Sequence, residues 1–194
     1  MKALERAAQS KKLSLTIITN TSAQTQKGLP ALPRIESNFF PLVWEEWHRN
    51  SYEECMMRCD VGYFPQNISK GRWQRKSIYK IMHAASLGLP AIASPTIEAR
   101  TVLTDGLTAF LPESEDEWYN AVMAMCDKEK RMTMAKNATS LCGLRFSMDN
   151  MVDNLVGIIN QYVDLTYKRS PIDRAERLTN YACDKLYKYL RKVI

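Results

Sequence analysis

No run of eighteen consecutive apolar residues occurs in this 194-residue sequence, and its first six residues, Met1-Lys2-Ala3-Leu4-Glu5-Arg6, are too charged for a secretory leader. Both absences point to a soluble, cytoplasmic chain with at most peripheral contact at a membrane surface. Paired cysteines are missing as well. The five present (Cys55, Cys59, Cys126, Cys142, Cys183) are odd in number and scattered. Cys55 and Cys59 stand four apart, yet no second Cys or His pair has partner spacing, so they read as buried thiols and no metal is expected. Without a leader, the Asn-x-Ser/Thr matches at Asn67 and Asn137 are chance. His48 is isolated near a helix start and reads as a capping or packing residue.

What is present suffices for one core: 45% of the residues are hydrophobic. The informative stretch runs from Val61 to Leu111. It alternates strand, polar loop, helix, strand, helix and strand, the order expected of a parallel sheet flanked by helices. Its polar loop carries Lys70, Arg72, Arg75 and Lys76 and leads into a helix expected to start near Ser77. With about 100° per residue, Lys76, Lys80 and His83 share one face and Ile78, Ile81, Met82 and Ala85 the opposite one. Gly88-Leu89-Pro90 ends this helix and Ala91-Ile92-Ala93 supplies a short buried strand. A cationic loop entering a helix start can hold an anion; a solvated basic face explains the same residues about as well.

Elsewhere the pattern predicts a helix over Lys2–Ser10, a strand over Leu13–Thr19, loop over most of 20–37 and a strand over Asn38–Trp44 interrupted by Pro41. Helices are expected over Arg49–Arg58, from the capping box Ser114-Glu115-Asp116-Glu117 to Cys126, and over Glu129–Cys142, Met148–Tyr167 and Pro171–Lys192. The fold class is therefore α/β: a Rossmann-like parallel sheet with flanking helices, followed by C-terminal helices. Residues 1–167 form the sheet domain and 168–194 a basic amphipathic helix. That tail holds eight Lys or Arg against three Asp or Glu, which is five of the net six positive charges. Docking on protein suits it first and a membrane surface second; specific nucleic-acid binding is not expected, for want of a binding motif.

The block Lys76-Ser77-Ile78-Tyr79-Lys80 followed by Ala84-Ala85-Ser86-Leu87-Gly88-Leu89-Pro90-Ala91-Ile92-Ala93-Ser94-Pro95 resembles the "K-S-x-N-K/R … A-L-G-L-P-V-I-A-S-P" block of group 1 (family 4-like) glycosyltransferases. Asp60-Val61-Gly62-Tyr63-Phe64-Pro65 is similar to that family's "D-v-g-l-x-P" strand, and Thr104 to Leu111 to its "x-D-G-x-x-G-f-L". The resemblance implies the C-terminal, nucleotide-sugar-binding half of a GT-B fold, in which a sugar passes from a nucleoside diphosphate to a glycan or lipid-linked acceptor. It implies no cofactor besides the donor, and the lack of any Asp-x-Asp agrees with metal independence. It also implies that a first strand, its diphosphate loop and the acceptor domain lie elsewhere, in a missing N-terminal domain or a partner subunit.

Breaking the donor bond develops negative charge on the departing phosphate, which fixed cations stabilise. Lys76 and Lys80 are the catalytic candidates. Arg75 and Ser77 join them around the diphosphate, His83 near ribose or phosphate, and Pro65 with Gln66 at the base. Arg75 and His83 stand where the family carries paired glutamates, so sugar and ribose recognition do not transfer directly. The alternative is a non-catalytic nucleotide-binding or structural half-domain that needs a partner chain. Ser77-x-x-Lys80 also matches penicillin-recognising acyl enzymes, but their Ser-Asp-Asn and Lys-Thr-Gly elements are absent.

Overall fold

The computed structural model describes residues 1–19, 36–68 and 71–167, without the side chains of 72, 73 and 164–167. The expected tail helix, most of the expected 20–37 loop and Lys70 lie outside the described residues. The chain divides into two compact units, 1–144 and 145–194.

The first unit opens with helix α1 (Lys2–Ala8) and strand β1 (Leu15–Thr19), followed by β2 (Leu42–Glu46), α2 (Tyr52–Met57) and β3 (Gly62–Phe64). Next come α3 (Gly71–Gln74), α4 (Tyr79–Ser86), β4 (Ala91–Ala93), α5 (Ile97–Val102), α6 (Glu115–Met125) and α7 (Lys128–Phe146). Several details depart from the sequence reading, among them the strand expected at the end of the 61–111 stretch, which is present only as isolated bridges at Asp105, Ala109 and Phe110. Asn38–Phe40 bend rather than extend, and Pro41 stands before β2 instead of inside it, so the strand runs on to Glu46. A single helical turn, α3, occupies part of the expected polar loop.

β1 pairs in parallel with β2 (Leu15 opposite Leu42) and β3 with β4 (Gly62 opposite Ala91). Phe110 adds a parallel bridge to Ile92. Among the described residues the two ladders stay separate sheets. Side chains alternate across β4. Ala91 and Ala93 enter a cluster with Ile78, Ile81, Met82 and Ala85 of α4, Ala99 of α5 and Ala138 of α7. Ile92 faces the other way, into a cluster with Leu4 and Ala7 of α1, Ala121, Val122 and Met125 of α6, and Met134. Leu15, Leu42 and Tyr63 pack against that second cluster, so both ladders contribute to it. The β3–β4 sheet is thus covered by helices on both sides, as a run of apolar strand residues requires.

The helix ends follow from local chemistry. Gly88 takes φ +76°, and the amides of Gly88 and Leu89 bond the carbonyls of Ala85 and Ala84, a Schellman closure that returns the chain into β4. Ser114 Oγ accepts the Glu117 amide at 3.3 Å while Glu117 Oε2 accepts the Glu113 amide at 2.7 Å. The Glu113 amide, with help from Ser114, holds the Glu117 carboxyl below its ordinary pKa. Thr96, 3% exposed, caps α5 by accepting the Ala99 amide at 3.2 Å. Thr96→Ala strands that amide in the core and is expected to cost about 1 kcal/mol, whereas Thr96→Ser keeps the acceptor and most of the stability. Denaturant midpoints of the pair check this.

In the second unit, α8 (Met148–Tyr167) is amphipathic, with Met151, Leu155, Ile158 and Tyr162 exposed. No helix of the described residues is long and apolar enough to cross a membrane.

Candidate functional site

β3 and β4 lie side by side in parallel, so their carboxyl ends open in the same direction, and the residues that follow them line a cavity of about 430 Å³. This size suits a small ligand, and the end of parallel strands is where open α/β sheets bind theirs. Pro65, Gln66 and Asn67 follow β3, Ser94 follows β4, and the starts of α1 and α6 bring in Lys2 and Trp118.

The two strand ends are tied to each other. Ser94 Oγ accepts the Gln66 amide at 2.7 Å and donates to the Gln66 carbonyl at 3.1 Å. This fixes the backbone of Gln66. The carboxamide Oε1 is buried and has no hydrogen-bond partner, alone in this among the described side chains. An unpaired buried acceptor costs about 1–3 kcal/mol.

Aromatic rings supply a wall. Tyr63 and Trp118 meet edge to face, centroids 4.9 Å apart and planes 64° apart. Burial pushes the Tyr63 phenol up to about 12. An unfolded tyrosine ionises near pH 10. The stability this contributes is complete below about pH 10 and is lost as pH rises from about 10 to 12, because the unfolded chain then releases a proton that the folded one keeps. Tyr63→Phe should remove that share of the alkaline loss, seen by comparing guanidinium midpoints at pH 8 and pH 11. At the cavity edge Lys2 Nζ lies 4.0 Å from Glu115 Oε2, an exposed pair of little energetic weight.

Of the sequence candidates, Pro65 and Gln66 line this cavity; Arg75, Lys76, Ser77, Lys80 and His83 do not. The basic residues hold an exposed segment leading into α4, and the apolar back of that helix is buried as its periodicity demands. Arg75 and Lys80 have no ion-pair partner among the described residues. The first amides of the helix are already occupied, Ile78 N–H by Glu98 Oε2 at 3.1 Å and Tyr79 N–H by Ser77 Oγ at 3.2 Å. A phosphate at this helix start would compete with the Glu98 carboxylate. His83 is held by α2: its Nε2 lies 3.0 Å from Tyr52 Oη and 3.1 Å from Glu53 Oε1.

Sequence reasoning missed Tyr63, Ser94, Trp118 and Lys2 as cavity residues. Tyr63 and Ser94 sit inside the blocks already singled out, one residue from a strand end or within a strand that points there. Trp118 follows a capping box that explained its neighbours. Lys2 carries no local signal, because only the fold brings the chain start to the end of β3. Among the described residues, no group of three or more His, Cys, Asp or Glu could hold a metal ion.

No protein-family model and no curated protein matches this sequence. Its fold does match solved structures. One is HepE from Anabaena in complex with UDP and glucose, with a TM-score of 0.54 and 17% identity over 82% of this chain. Another is HepE in complex with UDP-glucose, with a TM-score of 0.53 and 18% identity over 83% of this chain. This chain spans 44% and 45% of the length of those structures.

Proposed function

We propose that this chain is the donor-binding half of a glycosyltransferase of GT-B type, similar to group 1 enzymes, and holds a nucleoside diphosphate sugar at the carboxyl ends of β3 and β4. The observation that carries this reading is the cavity of about 430 Å³ at the carboxyl ends of β3 and β4, lined by Tyr63, Pro65, Gln66, Asn67, Ser94 and Trp118. A nucleobase offers polar groups on its edge for the polar residues that line the cavity and a flat face for Trp118 and Tyr63. Support comes from the fold shared with structures that contain UDP with glucose and UDP-glucose.

In this reading Pro65 and Gln66 hold the base, and Arg75, Lys76, Ser77 and Lys80 face the diphosphate. Lys76 and Lys80 stabilise the charge that grows on the leaving phosphate as the glycosidic bond breaks, without a metal. A second domain or partner chain supplies the glycan or lipid-linked acceptor, and residues 168–194 dock on protein or at a membrane surface. The test is calorimetric titration with UDP, GDP, ADP and CMP, with and without magnesium. Saturable, magnesium-independent binding of one of them is expected; a folded chain that binds none contradicts the reading.

One observation favours a second reading, nucleotide binding without transfer. The family's paired glutamates are replaced by Arg75 and His83, and His83 is engaged by Tyr52 and Glu53. Binding with no donor turnover, even with the rest of the parent protein present, would select it.

A further inference from the structure

Two stretches of the second compact unit, 145–194, carry the same apolar spacing in mirror order. In α8 the pattern is Met148, Met151, Leu155, Ile159 and Tyr162, with steps of three, four, four and three residues. The sequence of 168–194 repeats those steps at Ala175, Leu178, Ala182, Leu186 and Tyr189. Each member of the second set lies as far beyond the junction of Lys168 and Arg169 as one member of the first lies before it, so that Ala175 mirrors Tyr162 and Tyr189 mirrors Met148. At helical spacing either set falls within about 80° of one face.

The stripe on α8 is open: Met148 is 74% exposed and Leu155, at its middle, 43%. Charge decides what can cover it. α8 has three Asp and no Lys or Arg, whereas 168–194 has eight Lys or Arg against three Asp or Glu. A second copy of α8, or an anionic lipid surface, would set like charges together, while the basic segment is attracted. The connection also fits. α8 ends at Tyr167 and the next helical pattern starts at Pro171 behind Ser170, which leaves 168–170 as the link, within the about two to five residues that join antiparallel helices. The two helical patterns match in length, each about 30 Å.

We infer that the apolar face of α8 is the docking surface for residues 171–192 of the same chain, which fold back on it as an antiparallel helix. The mirror spacing sets the register, with Tyr162 against Ala175 and Leu155 against Ala182. A large residue thus meets a small one at both places, and the two helices can approach closely. Because both stripes belong to one chain, they meet at an effective concentration on the order of millimolar, which a second copy in dilute solution does not reach. The hairpin consumes the apolar stripe of the tail and leaves its basic side outward. It does not depend on what the cavity in the first unit binds.

The test is methyl NMR and amide hydrogen exchange on the full chain, at low and at high protein concentration. Nuclear Overhauser contacts are expected between the methyls of Met151 and Leu186 and between those of Ile159 and Leu178, at either concentration. In Leu186→Asp the α8 amides should exchange at least about tenfold faster, although residue 186 is no part of α8. Arg177→Ala, off the apolar stripe, should leave them unchanged, and α4 amides report that the first unit stays folded in both variants. Absence of these contacts overturns the proposal, as does α8 exchange that Leu186→Asp does not alter. So do contacts seen only between differently labelled copies, which would assign the face to a second chain, or only after vesicles of phosphatidylglycerol are added, which would assign it to lipid.

Discussion

Gln66→Leu is expected to move stability and binding in opposite directions: the ligand-free chain gains about 1 kcal/mol, and affinity for the cognate nucleotide falls about tenfold or more. The two side chains are similar in size, so packing changes little. What changes is the carboxamide, whose Oε1 is buried and unpaired in the free chain. Leucine removes a desolvated acceptor that nothing satisfies, hence the gain. It also removes a polar side chain that lines the cavity, hence the loss. A residue conserving structure alone would lower both quantities or neither. Thermal or guanidinium unfolding without ligand, and calorimetry with the nucleotide, measure the two halves. The backbone ties from Ser94 to Gln66 do not involve the side chain and should persist in the variant.

Ile92→Ala is the substitution expected to destabilise the fold most, by about 3 kcal/mol within the 2–5 kcal/mol usual for such truncations. Ile92 is 2% exposed, sits between β3 and Phe110, and fills the cluster shared by α1, α6 and Met134. Its neighbours in β4 are alanines that face the other cluster and cannot collapse into the space. Met125 and Met134 line the cluster and are flexible enough to recover part of the loss, which keeps the estimate below the top of the range. For a chain of this length the melting temperature should fall by about 6–12 °C. Leu107→Ala, at a residue 52% exposed, serves as the control and should change stability by less than about 0.5 kcal/mol.

Much of the fold could be read from local pattern. The apolar back of α4, the Gly88 closure, the capping box at Ser114 and the short strand Ala91–Ala93 all appear where spacing and turn chemistry put them. Boundaries near prolines were less legible, as at Pro41, because the pattern of Asn38–Trp44 fits a strand on either side of the break. The site was legible in part. Gln66 and Pro65 could be found because they follow a strand that a sequence block marks. Trp118 and Lys2 could not, since they reach the cavity only through the packing of α1 on α6, which no local spacing encodes. The basic residues illustrate the reverse: helical periodicity grouped Lys76, Lys80 and His83 on one face, but it could not show that α2 would engage His83 or that Glu98 would occupy the Ile78 amide.

The most direct measurement is chemical-shift mapping on the isotope-labelled chain with whichever nucleotide binds in calorimetry. The account predicts saturable shifts at the Gln66 and Asn67 amides, the Ser94 amide and the Trp118 indole N–H, with smaller ones at Lys76 and Lys80. Shifts that leave Gln66, Ser94 and Trp118 unmoved would contradict the placement of the nucleotide at the carboxyl ends of β3 and β4.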